Sequence, residues 1–392
     1  MNHRAAVVSA LVGLASVAVC AQPVQTAATR TPAEISIQKA QEQIAKQPNY
    51  VPYYANLAMA YARRARETAD VGYYAKAEEI LDRSRKLDPD NFEVLKVRTL
   101  LLLGRHEFAK ALEAATALHK RVPDDITVYG YLVDANAELG NYDDAVQAAQ
   151  WMLNLRPGNI DGLTHAAYLR ELHGNLPGAM ELLHTAYDST PFQESEDRAW
   201  LLTRMAHLQL LSGNLPEAEM YATSALGLFP DYHYALGTLA EVRLAQNRSD
   251  EAVTLLEKRY AKAPHAENLF ALAEALDRAG RKDDAAKAFA EFEQKSLRES
   301  NITDNSNHEL IAYYVDYARQ PAKALQIATQ ELARRHDAFT LDAYAWSLAA
   351  SGDYAQANAE IKKAVAFGVK DPKVLHHAAE IAQHLSQTVA AR

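Results

Sequence analysis

The residues best suited to chemistry lie near the end of the chain, where HHAAEIAQH at 376–384 spaces His376, Glu380 and His384 four apart. On a helix that spacing puts all three on one face, which could hold a divalent metal or respond to protonation. Ligands from a single helix bind metal weakly without partners elsewhere, so no metal site is expected, Asp342 being the candidate partner. HEFAK at 106–110 and HELIA at 308–312 begin as a zinc-protease helix does, but Lys110 and Ala312 stand where the second histidine is required. The sequence has no G-x-x-x-x-G-K-[ST], no G-x-G-x-x-G after a strand and no G-x-S-x-G. A protein without catalytic residues or a cofactor is therefore expected, and binding becomes the chemistry to place.

Composition narrows the partners. A net charge of −9, with 23% charged residues, lacks the basic excess that nucleic acid or anionic lipid would call for. Met1 to Arg4 form a short basic start and Ala5 to Val19 a run of 15 apolar or small residues, too short to span a bilayer. This pattern predicts a signal peptide over residues 1–21, cleaved before Gln22, then a disordered segment over 22–30 and a periplasmic destination. Acylation of Cys20 as an outer-membrane lipoprotein is the less favoured alternative, because Val19 replaces the usual Gly or Ala. Cleavage removes the only cysteine, which excludes disulfides and thiolate chemistry. No later run of 18 apolar residues predicts a membrane span.

The elements that must position a binding surface are marked by a period. Pro89, Pro123, Pro157 and Pro191 stand 34 apart, Pro230 follows after 39, and Pro264 after another 34. Twelve residues before each is an alanine: Ala77, Ala111, Ala145, Ala179, Ala218 and Ala252. GNLP occurs twice, at 174–177 and 213–216. Small residues let two helix axes approach, glycine ends a first helix in the left-handed conformation, and the closing proline stops the second.

This pattern resembles the tetratricopeptide repeat, with NYDDA at 141–145 and GDYAQA at 352–357 near the family consensus, and Leu132, Ala167, Ala206, Ala240, Ala273 and Ala345 in its first-helix packing columns. The resemblance implies an all-α, right-handed superhelical solenoid of about nine helix hairpins, starting near residues 51, 92, 126, 160, 199, 233, 266, 305 and 338. Thr31, Pro32 and Glu34 form a capping box that opens an N-terminal capping helix ending near Lys46, and residues 371–385 read as a C-terminal capping helix. The array is expected over 31–294, a polar linker over 295–307, and further repeats with the capping helix over 308–392. About seven extra residues at 62–72 should lengthen the first hairpin and project from the end of the array, and five extra residues lie around 192–198.

First helices of such an array line a concave groove that accepts extended or helical peptides. Threading onto the repeat places Tyr131, Asp134, His165, Tyr168, Trp200, Arg204, His207, Tyr234 and Glu241 there as the preferred partner-binding surface, with Phe270, Glu274, Asp277, Tyr313, Tyr317 and Trp346 farther along. By resemblance, the expected function is a non-enzymatic scaffold that binds a protein or peptide in envelope assembly or secretion. The alternative is an accessory of polysaccharide export or cell-wall metabolism that contacts glycan or a glycan-handling enzyme, Trp200 and Tyr234 stacking on sugars. The family's clamp for chaperone tails is missing, since Ala55 and Met59 hold the corresponding positions.

Overall fold

The computed structural model describes residues 30–390; the predicted signal peptide, Cys20 and all but the last residue of the 22–30 segment lie outside the described residues. α1 (Pro32–Lys46) opens the fold on the expected box, Thr31 accepting from Glu34 N and Glu34 from Thr31 N. Hairpins follow: α2 and α3 (Pro52–Thr68, Gly72–Arg85), α4 and α5 (Phe92–Gly104, Phe108–Arg121), α6 and α7 (Ile126–Leu139, Tyr142–Leu155), then α8 and α9 (Ile160–Leu172, Leu176–Ser189). The middle hairpins are α10 and α11 (Ser195–Leu211, Leu215–Leu228), α12 and α13 (His233–Ala245, Ser249–Lys262), and α14 and α15 (Ala266–Arg278, Lys282–Glu299). The last are α16 and α17 (Asn307–Ala312, Pro321–Leu332), with a π-helical turn Tyr313–Tyr317 after α16, and α18 and α19 (Ala338–Ala350, Tyr354–Ala366), closed by α20 (Pro372–Ala390). Each helix packs mainly on its sequence neighbours, and the hairpins stack into a superhelical solenoid.

Local sequence accounts for these elements. Asn91, Asp125 and Asn159 open α4, α6 and α8 by accepting the backbone N–H three residues on. Ala77, Ala111, Ala145, Ala179, Ala218 and Ala252 are all fully buried at the crossing of their hairpins, where a larger side chain would force the axes apart. The first-helix column holds Ala167, Ala206, Ala240, Ala273 and Ala345, but in the third repeat its buried member is Val133; Leu132, one step round the helix, is only partly buried. The linker expected over 295–307 starts only at Ser300, because α15 continues through Glu299. The turn after it is packed by its own polar groups, Ser296 and Ser306 sharing a 2.8 Å hydrogen bond and Asn307 Nδ2 donating to Ser300 O and Glu331 Oε1 at 3.0 and 2.7 Å.

The superhelix closes on itself. The turn inside each of the first four hairpins docks on a loop that opens a helix one full turn later. His265 Nε2 lies 2.5 Å from Ala69 O, Thr303 Oγ1 donates to Arg105 O at 2.8 Å, Ala338 N donates to Tyr142 Oη at 3.0 Å, and His173 Nδ1 lies 3.1 Å from Phe367 O. These partners are 194 to 198 residues apart, a little under six periods of about 34 residues. Arg335 adds a 2.8 Å ion pair to Glu138.

The extra residues at 62–72 are part of this seam and do not project from the array. They extend α2 to 17 residues, and the insertion near 192–198 extends α10 to the same length. The two extensions meet: Arg63 pairs with Glu194 and Asp197 at 2.5 and 3.1 Å, and Arg66 pairs with Asp197 and with Glu196, whose side chain is fully buried and also accepts from Tyr232 Oη at 2.6 Å. The two irregularities in the repeat therefore neutralise each other across the superhelix.

Candidate functional site: the lumen of the superhelix

Because the seam seals the side of the superhelix, the first helices face a lumen. Three cavities succeed one another along it, of about 320, 750 and 390 Å³. Tyr234 borders the first two, and His106 and Glu267 border the second and third.

The first cavity gathers six of the expected residues. α8 supplies Tyr168, α10 supplies Trp200, Arg204 and His207, and α12 supplies Tyr234 and Glu241. They recur at three- and four-residue steps on successive first helices, the spacing that keeps side chains on one helical face. Sequence reasoning missed Glu171, one turn beyond Tyr168 on the same stripe, which accepts from Arg204 and lies 3.3 Å from His207 Nε2. Burial works to raise the Glu171 carboxyl, but Arg204 and His207 outweigh it and hold it below the usual range.

Arg259 was also missed, because it comes from the second helix α13, which the repeat template places outside the groove. It reaches the lumen across Gly237 of α12, where an added Cβ would stand 2.8 Å from Arg259 Nη1. Its Nε is buried without a hydrogen-bond partner. Glu241 opposite is open to the cavity yet ringed by protein; burial raises its carboxyl against the opposing pull of His207, Arg259 and Arg204.

The other expected residues divide. Asp134 and His165 form their own pair at 3.1 Å, with His165 Nδ1 also 2.5 Å from Asp161 O. Burial favours neutral His165, yet Asp134 and Asp161 outweigh it and raise the imidazole to about 9. Tyr131, expected in the groove, instead packs in the core beside Leu103, Phe108 and Ala135, presents no accessible face to the groove, and leaves its hydroxyl buried without a partner. Phe270 is likewise buried, against Phe289 and Phe292.

The C-terminal histidines do not converge. α20 buries Val374, His377 and Ile381, so the inward face lies one residue from the expected 376–380–384 stripe. His377, not His376, meets Asp342, with Nδ1 2.9 Å from Oδ1, and its ring stacks on Trp346 at 4.1 Å between centroids. His384 stacks on Tyr354. Among the described residues no group of three or more His, Cys, Asp or Glu side chains could hold a metal ion, and no helix is long and apolar enough to cross a membrane.

Comparison with known proteins agrees with this architecture. The family described as tetratricopeptide repeat matches residues 209–265, spanning the end of α10 through α13. No curated protein sequence matches the chain. A chain of the APC/C hetero-tetramer Cut9–Hcn1 is similar in structure over 90% of this chain, with a TM-score of 0.55 and 14% identity; this chain spans 60% of its length. Human IFIT1 solved with m7Gppp-AAAA is similar over 85% of each chain, with a TM-score of 0.51 and 13% identity. At such identities the likeness is one of fold. The chain folds as a tetratricopeptide-type solenoid, and the repeat family itself is matched in sequence over residues 209–265.

Proposed function

We propose that this chain is an exported, non-enzymatic scaffold that binds a protein or peptide in the periplasm, in envelope assembly or secretion, and that the partner segment lies in the lumen. The observation that carries this reading is the seam: with the flank of the superhelix closed, the inner surface is reached along its axis. The 750 Å³ vestibule has room for an extended segment and is lined by Lys39 and Gln43 of the capping helix α1 and by Asn56, Met59 and Arg63 of α2. The groove residues Tyr168, Trp200, Arg204, His207, Tyr234 and Glu241 lie deeper, and aromatic and arginine side chains of this kind are the usual energetic anchors of interfaces.

Glu267 and Glu309 line the third cavity, and burial together with Glu267 pushes the Glu309 carboxyl up to about 7.

Photo-cross-linking in cells tests the reading. A photoreactive residue at Met59 should capture a protein partner, whereas one at Trp151, exposed on the outer helix α7, should not. Capture from position 151 alone would move the interface to the outer surface and overturn the lumen reading. Export is checked by sequencing the N-terminus of the protein recovered from the envelope fraction, expected to begin at Gln22.

A further inference from the structure

Within the first cavity the other charged groups are matched, Arg204 and His207 sharing Glu171. Arg259 and Glu241 are different. They face the same 320 Å³ cavity from α13 and α12, close enough to bias each other's charge, yet among the described residues neither side chain makes a hydrogen bond or ion pair.

Glycine within a helix is unfavourable, and Gly237 sits in the middle of α12 where any side chain would press on the Arg259 guanidinium. The cavity between the two charges is walled by Tyr168, Trp200 and Tyr234. Its volume is at the low end of the roughly 300–1,000 Å³ of small-molecule sites, too small for a folded partner.

Arg259, whose Nε is buried, and Glu241, open to the cavity, present one charge of each sign to the same space without a direct partner. An anionic ligand would leave Glu241 unmatched, a cationic one would leave Arg259 unmatched, and a neutral one would satisfy neither in full. We infer that this cavity binds a small zwitterion, a free α-amino acid or a dipeptide, with its carboxylate on Arg259, its ammonium group on Glu241 and its side chain against the aromatic walls. This goes beyond the scaffold reading and needs no protein partner: it makes the solenoid responsive to a small molecule.

Isothermal titration of the full-length mature protein tests it with L-phenylalanine, L-tyrosine, L-lysine and glycyl-L-phenylalanine as probes. At least one should bind saturably. Its N-acetyl and its carboxamide derivatives should each bind about tenfold or more weakly, since each loses one charge-assisted pair. Glu241→Gln and Arg259→Gln should weaken binding by a similar factor while the circular dichroism spectrum stays that of the parent. Binding that survives the chemical blocks, equal binding of uncharged monosaccharides, or no binding of any of the four probes would overturn the proposal. The blocked derivatives test it even where a variant fails to fold, and cross-linking from position 59 reports separately on the protein partner.

Discussion

Residues 173–178 read HGNLPG and residues 212–217 read SGNLPE, and both make the same turn, with Gly174 at φ +73° and Gly213 at φ +78°. Their surroundings differ completely. A Cβ at Gly174 would overlap the carbonyl oxygen of Gly368 in the next turn of the superhelix, whereas a Cβ at Gly213 would meet nothing within 4 Å. Gly140 behaves like Gly174, a Cβ there standing 2.5 Å from His336 O. The shared GNLP thus encodes the same turn, and position along the superhelix decides whether that turn also holds the molecule closed.

The comparison can be broken at three points. The largest effect is expected at Arg66, because Arg66→Ala leaves the buried Glu196 carboxylate with Tyr232 as its remaining partner. Breaking such a pair costs about 3–5 kcal/mol, so the melting temperature should fall and the radius of gyration in small-angle scattering should rise. Unchanged values of both would show that the seam does not hold the turns together. Next, Gly174→Ala should destabilise by about 2–4 kcal/mol, combining the left-handed backbone with overpacking against Gly368, while Gly213→Ala should lose only about 1 kcal/mol for its backbone. Equal losses in chemical denaturation would erase the distinction between the two turns.

The smallest effect concerns pH. Burial drives the His233 imidazole down to about 4, opposed by its hydrogen bond to Arg66 O and reinforced by Arg259 and His265. A folded-state value below the unfolded one means that this stability is present above about pH 6.5 and is lost as pH falls toward 4. Between pH 7 and 5 the parent should therefore lose roughly 2 kcal/mol more than His233→Gln, measured by urea unfolding at each pH. Parallel losses would take His233 out of the acid response of the seam.

Much of the fold was legible because each hairpin is specified locally. The starts of α2, α4, α6, α8, α12, α14 and α18 fall within about one residue of those expected, and the recurring alanines sit where the helices cross. Six of the nine groove residues share one cavity for the same reason: their helical face follows from spacing. What spacing could not provide was anything that depends on superhelical pitch. The pairing of Arg66 with Glu196 joins residues 130 apart and results from small rotations accumulated over several repeats. Tyr131 and His377 show the finer limit, since one residue of helical register separates a lumen face from a core face. Arg259 was hidden because it reaches inward from a second helix over a glycine, and neither residue signals the other in sequence.

Solenoids ordinarily unravel repeat by repeat, since each contacts only its neighbours. The seam changes that arithmetic. Contacts between residues 194 to 198 apart tie the first four hairpins to the last, so fraying at one end exposes the other. Loss of structure should then be cooperative along the chain, as in a globular domain, and assembly should be slow, since its decisive contacts have the longest loops to close. During synthesis the N-terminal repeats leave the ribosome long before α14 to α20 exist, and must wait with their docking turns uncovered until the second half arrives.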